Sequence, residues 1–471
     1  MHKSFPILPF VPRAGAAEPL PVRGAADAVV DLLLFGPDER RGADDPPRRA
    51  KDEIWLSSCD GIGLSERAHL AARETHAALF GAPKARALTH WFDELRRRLV
   101  AIWAAPGCEA VLAASPGEAE DVFLALARAA KAGPGVTIAA EAPERPAGGP
   151  PAGRSFPLRD RYGLALAPEQ IDRAVAGSVA EAVAAGDDVV LQVADCSETG
   201  LARPSRAAVA ALEQEFAGRL LVLIDARQMR AARETIAADL AAGRAVLLSG
   251  ATFAGGPAGA AALLLPPALS ERIKPFALGG ALAAQSAALD WPPALRSRRR
   301  GAFAALADPG LGLRWEAALA ELDAFFAIES AVRDEIEMAF WREIDRHLAA
   351  APFLKAADFR PAASGAPTIL PILTFDDHGR AIDAVRLRRA LAGPPARSRR
   401  PAVHLGGPVA LGRREALRLS PSAPQIIACA QRLRGGQNIA AAFQPLADDL
   451  LACFAAWSEA AQEAARAKAD Q

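Results

Sequence analysis

This sequence lacks both a charge imbalance and long apolar runs. Its 471 residues carry 55 Lys and Arg side chains against 55 Asp and Glu, so the formal net charge is zero. A balanced charge argues against a dedicated nucleic-acid surface, which needs an excess of basic side chains. No apolar run approaches the roughly 18 uninterrupted residues of a membrane-spanning helix. We therefore expect neither a nucleic-acid partner nor a membrane.

Cysteine is also scarce, and its spacing is irregular. The five cysteines are odd in number and show no metal-ligand spacing: Cys59, Cys108, Cys196, Cys429 and Cys453. We expect thiols rather than disulfides, which is typical of a reducing compartment. Residues 1–13 are broken by three prolines and have no long apolar core, so they do not resemble a signal peptide. Together these features predict a cytoplasmic protein.

Hydrophobic residues, by contrast, are abundant. They make up 51% of the chain, which is enough for a large core and two domains. Short apolar runs ended by turn formers alternate with helical stretches, a pattern typical of a buried parallel sheet. The runs are Glu109–Ser115, Val136–Glu141, Val189–Asp195, Leu220–Ile224, Ala245–Leu248 and Gly259–Pro266. The sequence therefore predicts an α/β fold with a mainly parallel sheet.

The chain divides into three predicted parts. An N-terminal arm (1–54) is rich in Pro, Gly and Arg, and only Ala26–Leu34 has helical promise. The arm either lies across another part of the protein or a partner subunit, or forms a disordered tail. A large domain (55–300) and a smaller α+β domain (301–471) follow. The second contains a predicted helix pair over Gly310–Leu348 and a predicted strand over Thr368–Phe375.

Polar residues follow two neighbouring apolar runs. Asp225 and Gln228 come after Leu220–Ile224, and Ser249 and Thr252 follow Ala245–Leu248. In open α/β sheets, ligands bind beyond the carboxyl ends of the strands. We therefore expect these four side chains to share one pocket.

The same stretch resembles the cofactor core of fold-type I pyridoxal phosphate (PLP) enzymes, in the aminotransferase class V and cysteine desulfurase branch. The residues that carry the resemblance are Asp225, Gln228, Ser249, Gly250, Phe253, Gly255, Gly256 and Pro257. The resemblance implies a seven-stranded large-domain sheet, a homodimer, and PLP as the cofactor. It also implies that Asp225 pairs with the protonated pyridine nitrogen and that Gln228 reaches the phenolic oxygen of the ring.

The sequence departs from the resembled pattern at the lysine that forms the Schiff base. Thr252 stands at that position. A threonine hydroxyl cannot form an imine, so the residue that defines the chemistry is missing.

A second departure concerns the turn that would hold the cofactor phosphate. The resemblance places a Ser-Gly-Thr turn at a helix N-terminus, where this chain has Ser115, Pro116, Gly117 and Glu118. Pro116 has no amide N–H to donate, and Glu118 brings a carboxylate to a site for a dianion. Ser115 and Gly117 are the remaining phosphate-site candidates, while Glu118 is also a common first-turn residue of a helix.

The same resemblance implies that Arg418 is the candidate for binding a substrate carboxylate. It lies between apolar neighbours, where a charge is costly unless it is paired. It could make a bidentate bond to a substrate carboxylate, and it could equally form an internal ion pair. Glu198 stands where the resembled proteins often have a lysine, and the polar loop Leu56–Gly63 matches a segment at their substrate mouth.

Two functions follow from the resemblance. In the first, the chain is a degenerate class V aminotransferase-like protein, a pseudoenzyme that binds a partner through its dimer surface or its old cleft. In the second, it is an enzyme of aminotransferase or lyase type that uses PLP or pyridoxamine phosphate without the lysine. Retained Asp225 favours the second function. Thr252, Pro116 and Glu118 weigh against PLP binding and favour the first, which is our prediction.

A third reading takes the lysine from elsewhere, such as Lys84 or Lys274. Neither follows a strand at the required site. Beyond a small amino-acid-like ligand, the sequence identifies no substrate. It assigns no role to the N-terminal arm or to the basic run Arg296–Arg300.

Overall fold

Two β-sheets organise the computed structural model of the chain, one of seven strands and one of five. The structure describes residues 25–35, 53–58, 60–61, 63–80, 85–130, 135–139, 153–274, 286–296, 303, 305–357, 369–393 and 400–469. Cys59, Lys84, positions 297–300 of the basic run and most of the N-terminal arm lie outside these residues.

The described strands and helices are numbered in chain order. The strands are β1 (Glu53–Leu56), β2 (Glu109–Ala113), β3 (Gly135–Ala139), β4 (Gly153–Ser155), β5 (Asp188–Ala194), β6 (Leu220–Ala226), β7 (Ala245–Ser249), β8 (Ala261–Leu265), β9 (Leu354–Ala356), β10 (Leu370–Thr374), β11 (Ala402–Leu411) and β12 (Arg414–Leu419). The helices are α1 (Ala25–Phe35), α2 (Glu66–Phe80), α3 (Ala85–Ile102), α4 (Pro116–Ala130), α5 (Pro168–Ala184), α6 (Arg206–Glu215), α7 (Arg233–Ala241), α8 (Pro267–Ile273), α9 (Pro293–Arg296), α10 (Pro309–Phe326), α11 (Ser330–Ala350), α12 (Ala384–Ala392), α13 (Ala423–Arg434) and α14 (Ile439–Ala469).

The seven-stranded sheet has the order β2-β8-β7-β6-β5-β3-β4. Strand β8 runs antiparallel to both of its neighbours, and the other four pairs are parallel. Strands β7 and β8 are buried along their whole length, as expected for apolar runs covered on both faces. The predicted α/β fold with a mainly parallel seven-stranded sheet is confirmed.

The five-stranded sheet has the order β1-β11-β12-β10-β9. Strand β1 is parallel to β11, and the remaining pairs are antiparallel. A strand near the start of the chain therefore completes a sheet built from C-terminal residues, with Glu53 opposite Ala402. Leu56, predicted to open a polar loop, is instead the last residue of β1. The domain boundaries at 54/55 and 300/301 stay predictions.

Helix α10 is the first helix of the predicted helix pair, and it packs against α2, α3 and α13. Its Trp315 side chain is fully buried and donates a hydrogen bond to the carbonyl of Ala261 in β8 (3.1 Å). The next residue, Glu316, accepts hydrogen bonds from Trp91 (2.8 Å) and Arg98 (2.7 Å) of α3. These contacts fix the large sheet against the helices that surround it.

Helix α10 also approaches the loop after β7 very closely. A Cβ atom built on Gly250 or Gly256 would lie 2.7 or 2.8 Å from the Cβ atom of Ala318. Because real Cβ contacts are longer than this, only glycine fits at these two positions. The motif glycines of this loop therefore serve the packing of α10.

Helix α14 covers the five-stranded side of the molecule. Within the described residues it is the one helix long and apolar enough to cross a membrane. Its residues Leu450, Cys453 and Trp457 are fully buried, and Trp457 donates a hydrogen bond to Thr374 of β10 (3.0 Å). A core helix passes the same length and composition test, so the evidence for a membrane span is weak.

The described part of the N-terminal arm lies on the body of the protein. Helix α1 packs against α2 and α10, and the imidazole of His69 in α2 lies 3.2 Å from the carboxylate of Asp31. This segment of the arm therefore follows the first of the two predicted alternatives.

Candidate functional site

Asp225 ends β6 and is paired with an arginine of its own loop. The carboxylate is buried, and it accepts two bonds from the Arg227 guanidinium, Nε to Oδ1 at 2.8 Å and Nη2 to Oδ2 at 2.5 Å. The backbone amide of Arg227 also points to Oδ1 (3.2 Å). This is the two-pronged geometry that makes arginine–carboxylate pairs strong. The cation beside Asp225 is thus supplied by the chain.

Arg227 reaches a second buried carboxylate. Its Nη2 lies 3.3 Å from Oε2 of Glu120 in α4. The other oxygen of Glu120 accepts a hydrogen bond from the Gln192 side chain of β5 (2.8 Å). One guanidinium therefore ties together the ends of β5 and β6 and the first turns of α4.

Thr252 is buried and its hydroxyl is already engaged. The Oγ1 atom donates to the backbone carbonyl of Arg227 (2.7 Å), which links the loop after β7 to the loop after β6. Ser249 is also buried, and its Oγ accepts from the amide of Ala251 (3.3 Å). The Thr252 hydroxyl thus links the two strand-end loops, while the Ser249 hydroxyl supports the turn of its own loop.

Ser115 and Gly117 are exposed at the start of α4. The helix begins with a local cap, in which the Glu118 amide donates to Oγ of Ser115 (3.1 Å) and the Glu118 carboxylate accepts from the Ala114 amide (2.9 Å). Burial raises the pKa of Glu118, and the negative charges of Asp308 and Asp121 raise it further. The hydrogen bond from the Ala114 amide lowers it in part. Glu118 is therefore a capping residue of α4.

Arg418 is buried and bound to carboxylates of the same chain. Its two terminal nitrogens form ion pairs with Asp60 and Glu198, and its Nε donates to the carbonyl of Gly407 (3.0 Å). Asp60 also accepts from the amide of Gly407 and lies 3.9 Å from Arg388. These contacts favour the internal ion pair over a bond to a substrate carboxylate.

Gln228 belongs to this second cluster. Its side-chain amide lies 3.5 Å from the Glu198 carboxylate. Gln228 is therefore joined to the Arg418 cluster through Glu198, whereas Asp225 and Thr252 are joined through Arg227. The structure therefore divides Asp225, Thr252 and Gln228 between two clusters, and it places Ser249 in the β7 loop and Ser115 and Gly117 at the α4 N-terminus.

Sequence reasoning missed the partners that complete these clusters. Arg227 and Glu120 were not singled out, and Asp60 was named only within a polar loop. For Arg227 the signal was present, since a charged residue next to a buried strand end needs a partner. What the sequence does not give is which partner each side chain reaches.

Two surface cavities of the described residues lie away from these clusters. One, of about 700 Å³, is bounded by α3 and includes Arg96 and Cys108. The other, of about 740 Å³, lies between Tyr162 and Phe375. Neither cavity is lined by any of the predicted site residues.

The described residues do not fit PLP, the cofactor that the resemblance implies. Asp225 already holds a guanidinium, and α4 is capped by Glu118. Position 252 carries a hydroxyl in place of an amine. This part of the chain therefore offers the cofactor neither an imine-forming residue at the expected position nor an open anion site.

No protein-family model matches the chain, and no curated protein matches it by sequence. Solved structures do match it. The cysteine desulfurase CsdA from Escherichia coli has a TM-score of 0.55 and 14% identity, covering 90% of this chain and 98% of its own. A serine palmitoyltransferase from Sphingomonas wittichii has a TM-score of 0.52 and 12% identity over 87% and 88% of the two chains.

A structure of SPT with PLP also matches. Its TM-score is 0.51 at 13% identity, with 88% of this chain and 91% of that chain covered. Each match extends over most of both chains at very low identity, which is the pattern of a shared fold. The chain has the fold of fold-type I PLP-dependent enzymes, as cysteine desulfurase and serine palmitoyltransferase structures show it.

Proposed function

We propose that this chain is a non-catalytic protein with a class V aminotransferase-like fold, which acts by binding rather than by imine chemistry. The observation that carries the proposal is Thr252. Its hydroxyl stands at the strand end where the resembled enzymes have their lysine. It donates its hydrogen bond to the carbonyl of Arg227. PLP catalysis begins with a lysine imine that orients the aldehyde and exchanges with an amine substrate.

Two lysines with described side chains lie in other surroundings. Lys274 follows α8 and forms an ion pair with Glu271. Lys355 lies in β9, with Nζ 5.2 Å from the centre of the Phe375 ring. Neither belongs to the Asp225 or Arg418 cluster, which supports the proposal.

The partner of such a binding protein would meet its dimer surface or its old cleft. The resemblance motivates a homodimer, and four cysteines that form thiols rather than disulfides motivate a cytoplasmic location. Light scattering at micromolar concentration tests the first point. A dimeric mass is the expected result, and a monomeric mass would remove the dimer surface from the proposal.

Titration of the purified protein with PLP tests the central claim. We expect no imine absorbance band and, after borohydride reduction and peptide mass mapping, no adduct on a single lysine. The Thr252→Lys variant supplies the missing amine and is the matched comparison. A stoichiometric adduct on one lysine of the wild type would overturn the non-catalytic reading.

Tight binding of PLP without an adduct would have a different meaning. It would favour the second function, an enzyme of aminotransferase or lyase type that holds PLP or pyridoxamine phosphate without a covalent bond. Retained Asp225 is the observation behind that alternative. Its pairing with Arg227 weakens the alternative, because a pyridine nitrogen would have to displace a guanidinium held by two bonds.

A further inference from the structure

The resemblance predicts three contacts to a bound cofactor or substrate, at Asp225, at Arg418 and at the N-terminus of α4. At each of these places the structure shows a charged side chain of the chain itself. Asp225 holds Arg227, Arg418 holds Asp60 and Glu198, and the amide of Ala114, just before α4, holds the Glu118 carboxylate. By the resemblance, the same three places would receive a pyridinium nitrogen, a substrate carboxylate and a phosphate. In every case the sign of the internal partner equals the sign of the missing ligand group.

We infer that Arg227, Glu118 and the Asp60–Glu198 pair are built-in replacements for a bound cofactor and substrate, so that the cleft is held together by its own charges. This inference deepens the proposed function and rests on it in one respect, the absence of a resident ligand. It also gives Asp225 and Arg418 a structural role that does not depend on catalysis.

The Arg227 contacts carry most of the inference. A buried carboxylate is unfavourable unless it is paired and hydrogen-bonded. Arg227 supplies that partner to both Asp225 and Glu120, and only about a fifth of its side chain is exposed. Without it, two carboxylates at the end of the sheet would remain buried with one cation fewer between them.

At α4 and at Arg418 the charges are reversed: the group that needs a partner is positive, and the chain supplies a carboxylate. The N-terminus of a helix attracts an anion through its amides and its dipole, and Glu118 gives α4 an internal one. Arg418 is buried among apolar neighbours and needs negative charge, which Asp60 and Glu198 provide. Each pair spans different elements, since Asp60 follows β1 and Glu198 follows β5.

The test is chemical rescue of the Arg227→Ala variant. We expect its melting temperature to fall by roughly 5 °C, because a buried ion pair is broken. Ethylguanidinium chloride at about 10 mM should restore part of that loss by binding the folded state, and ethylammonium chloride should restore less. The planar guanidinium head can repeat the two bonds to Asp225, whereas an ammonium cannot.

Arg219→Ala is the matched control. Arg219 flanks β6 and pairs with Asp188 at 2.7 Å, but 40% of its side chain is exposed, so we expect a smaller loss and no selective rescue. Equal losses in the two variants, or equal rescue by both cations, would overturn the inference. If Arg227→Ala does not fold, Arg227→Lys keeps one charge without the fork. A melting temperature for Arg227→Lys equal to wild type would then contradict the role of the paired guanidinium.

Inorganic phosphate tests the second replacement. At about 10 mM and constant ionic strength, phosphate should leave the melting temperature of the wild type unchanged and raise that of Glu118→Ala. The freed amide of Ala114 and the helix dipole are the expected reason. Equal responses of the two proteins would contradict a replacement role for Glu118.

These results are separable from the test of the proposed function. A lysine adduct in the wild type would sink the non-catalytic reading whatever the melting temperatures show. Failure of the rescue would sink the internal replacement and leave the result of the PLP titration standing.

Discussion

The loops after β6 and β7 both match the resembled enzymes, yet they are held by different forces. The β6 loop is held by charge, because Arg227 ties Asp225 to Glu120. The β7 loop is held by shape, because Gly250 and Gly256 lie directly under Ala318 of α10. Side by side, the two loops show that neighbouring strand-end loops can be fixed by different forces, one electrostatic and one steric.

The backbone of the β7 loop explains why shape suffices there. The amide of Gly256 bonds to the carbonyl of Gly250 (2.9 Å), and the amide of Gly250 bonds to Ala260 (2.7 Å). Gly255 adopts a φ of +72°, a left-handed conformation that side chains other than glycine rarely take. The turn is therefore complete without any charged group.

The largest expected effect comes from breaking the charge-held loop. Arg227→Met should lower the free energy of unfolding by about 3 to 5 kcal/mol, because it leaves Asp225 and Glu120 buried without their cation. Adding Asp225→Asn should recover part of that loss, since one of the two stranded charges is then gone. Denaturant unfolding of the two single variants and the double variant measures this coupling. Strictly additive losses would mean that the pair is not interacting.

The next prediction concerns the pH dependence of stability and rests on Asp290, a buried carboxylate that senses the charge of Glu118 at the start of α4. Burial raises the pKa of Asp290 from 3.8 to about 7, and the charges of Asp308 and Glu118 add to the effect. The folded protein therefore keeps this proton to higher pH than the unfolded chain does. Its contribution is fully present below about pH 4 and is lost as the pH rises through 7.

Asp290→Asn imitates the protonated side chain. Relative to this variant, the wild type should lose at most about 4 kcal/mol of stability between pH 4 and pH 7.5, since each pKa unit corresponds to about 1.4 kcal/mol. Thermal or urea unfolding at several pH values measures the difference. Parallel curves for the two proteins would show that Asp290 ionises as freely when folded as when unfolded.

A smaller effect is expected from breaking the shape-held loop. Gly256→Ala should cost about 1 to 3 kcal/mol, because the new methyl group would meet both Ala318 and the Gly250 carbonyl at 2.8 Å. The loss should not depend on salt or pH, because no charged group takes part in the contact. If the stability loss of Gly256→Ala depended strongly on ionic strength, the β7 loop would not be held by shape alone.

Gly177→Ala is the control with the smallest effect and the opposite sign. Gly177 lies inside α5, and a Cβ atom there would meet nothing within 4 Å. Alanine favours the helix, so we expect a gain of about 0.5 to 1 kcal/mol in the free energy of unfolding. A loss at this open position would mean that glycine-to-alanine changes report something other than crowding.

The sequence predicted the large sheet because its strands are continuous apolar runs that end in turn formers. It did not predict β4, whose residues Gly153–Ser155 include no apolar side chain. It also missed β1, because the partner of Glu53 lies far away in the chain at Ala402. Local pattern indicates a strand only where the apolar run is long enough to stand out, and β1 has only four residues.

The site was less predictable than the sheet. The positions of Asp225, Thr252 and Arg418 at strand ends or within strands followed from the apolar runs. Their partners did not, since Arg227 and Glu198 have long side chains whose contacts depend on the packing of several elements. Whether the predicted residues bind a cofactor or substrate stays a prediction.

The pairing of β1 with β11 has a consequence for how the chain is made. Residues 53–56 leave the ribosome several hundred residues before their partner strand is synthesised, which at ordinary translation rates is a delay of tens of seconds. The strands of the seven-stranded sheet lie between residues 109 and 265, so all of them are synthesised before β11. Until β11 arrives, the edge of β1 is exposed to wrong pairing. β1 can therefore be buried in its sheet only after β11 has been synthesised.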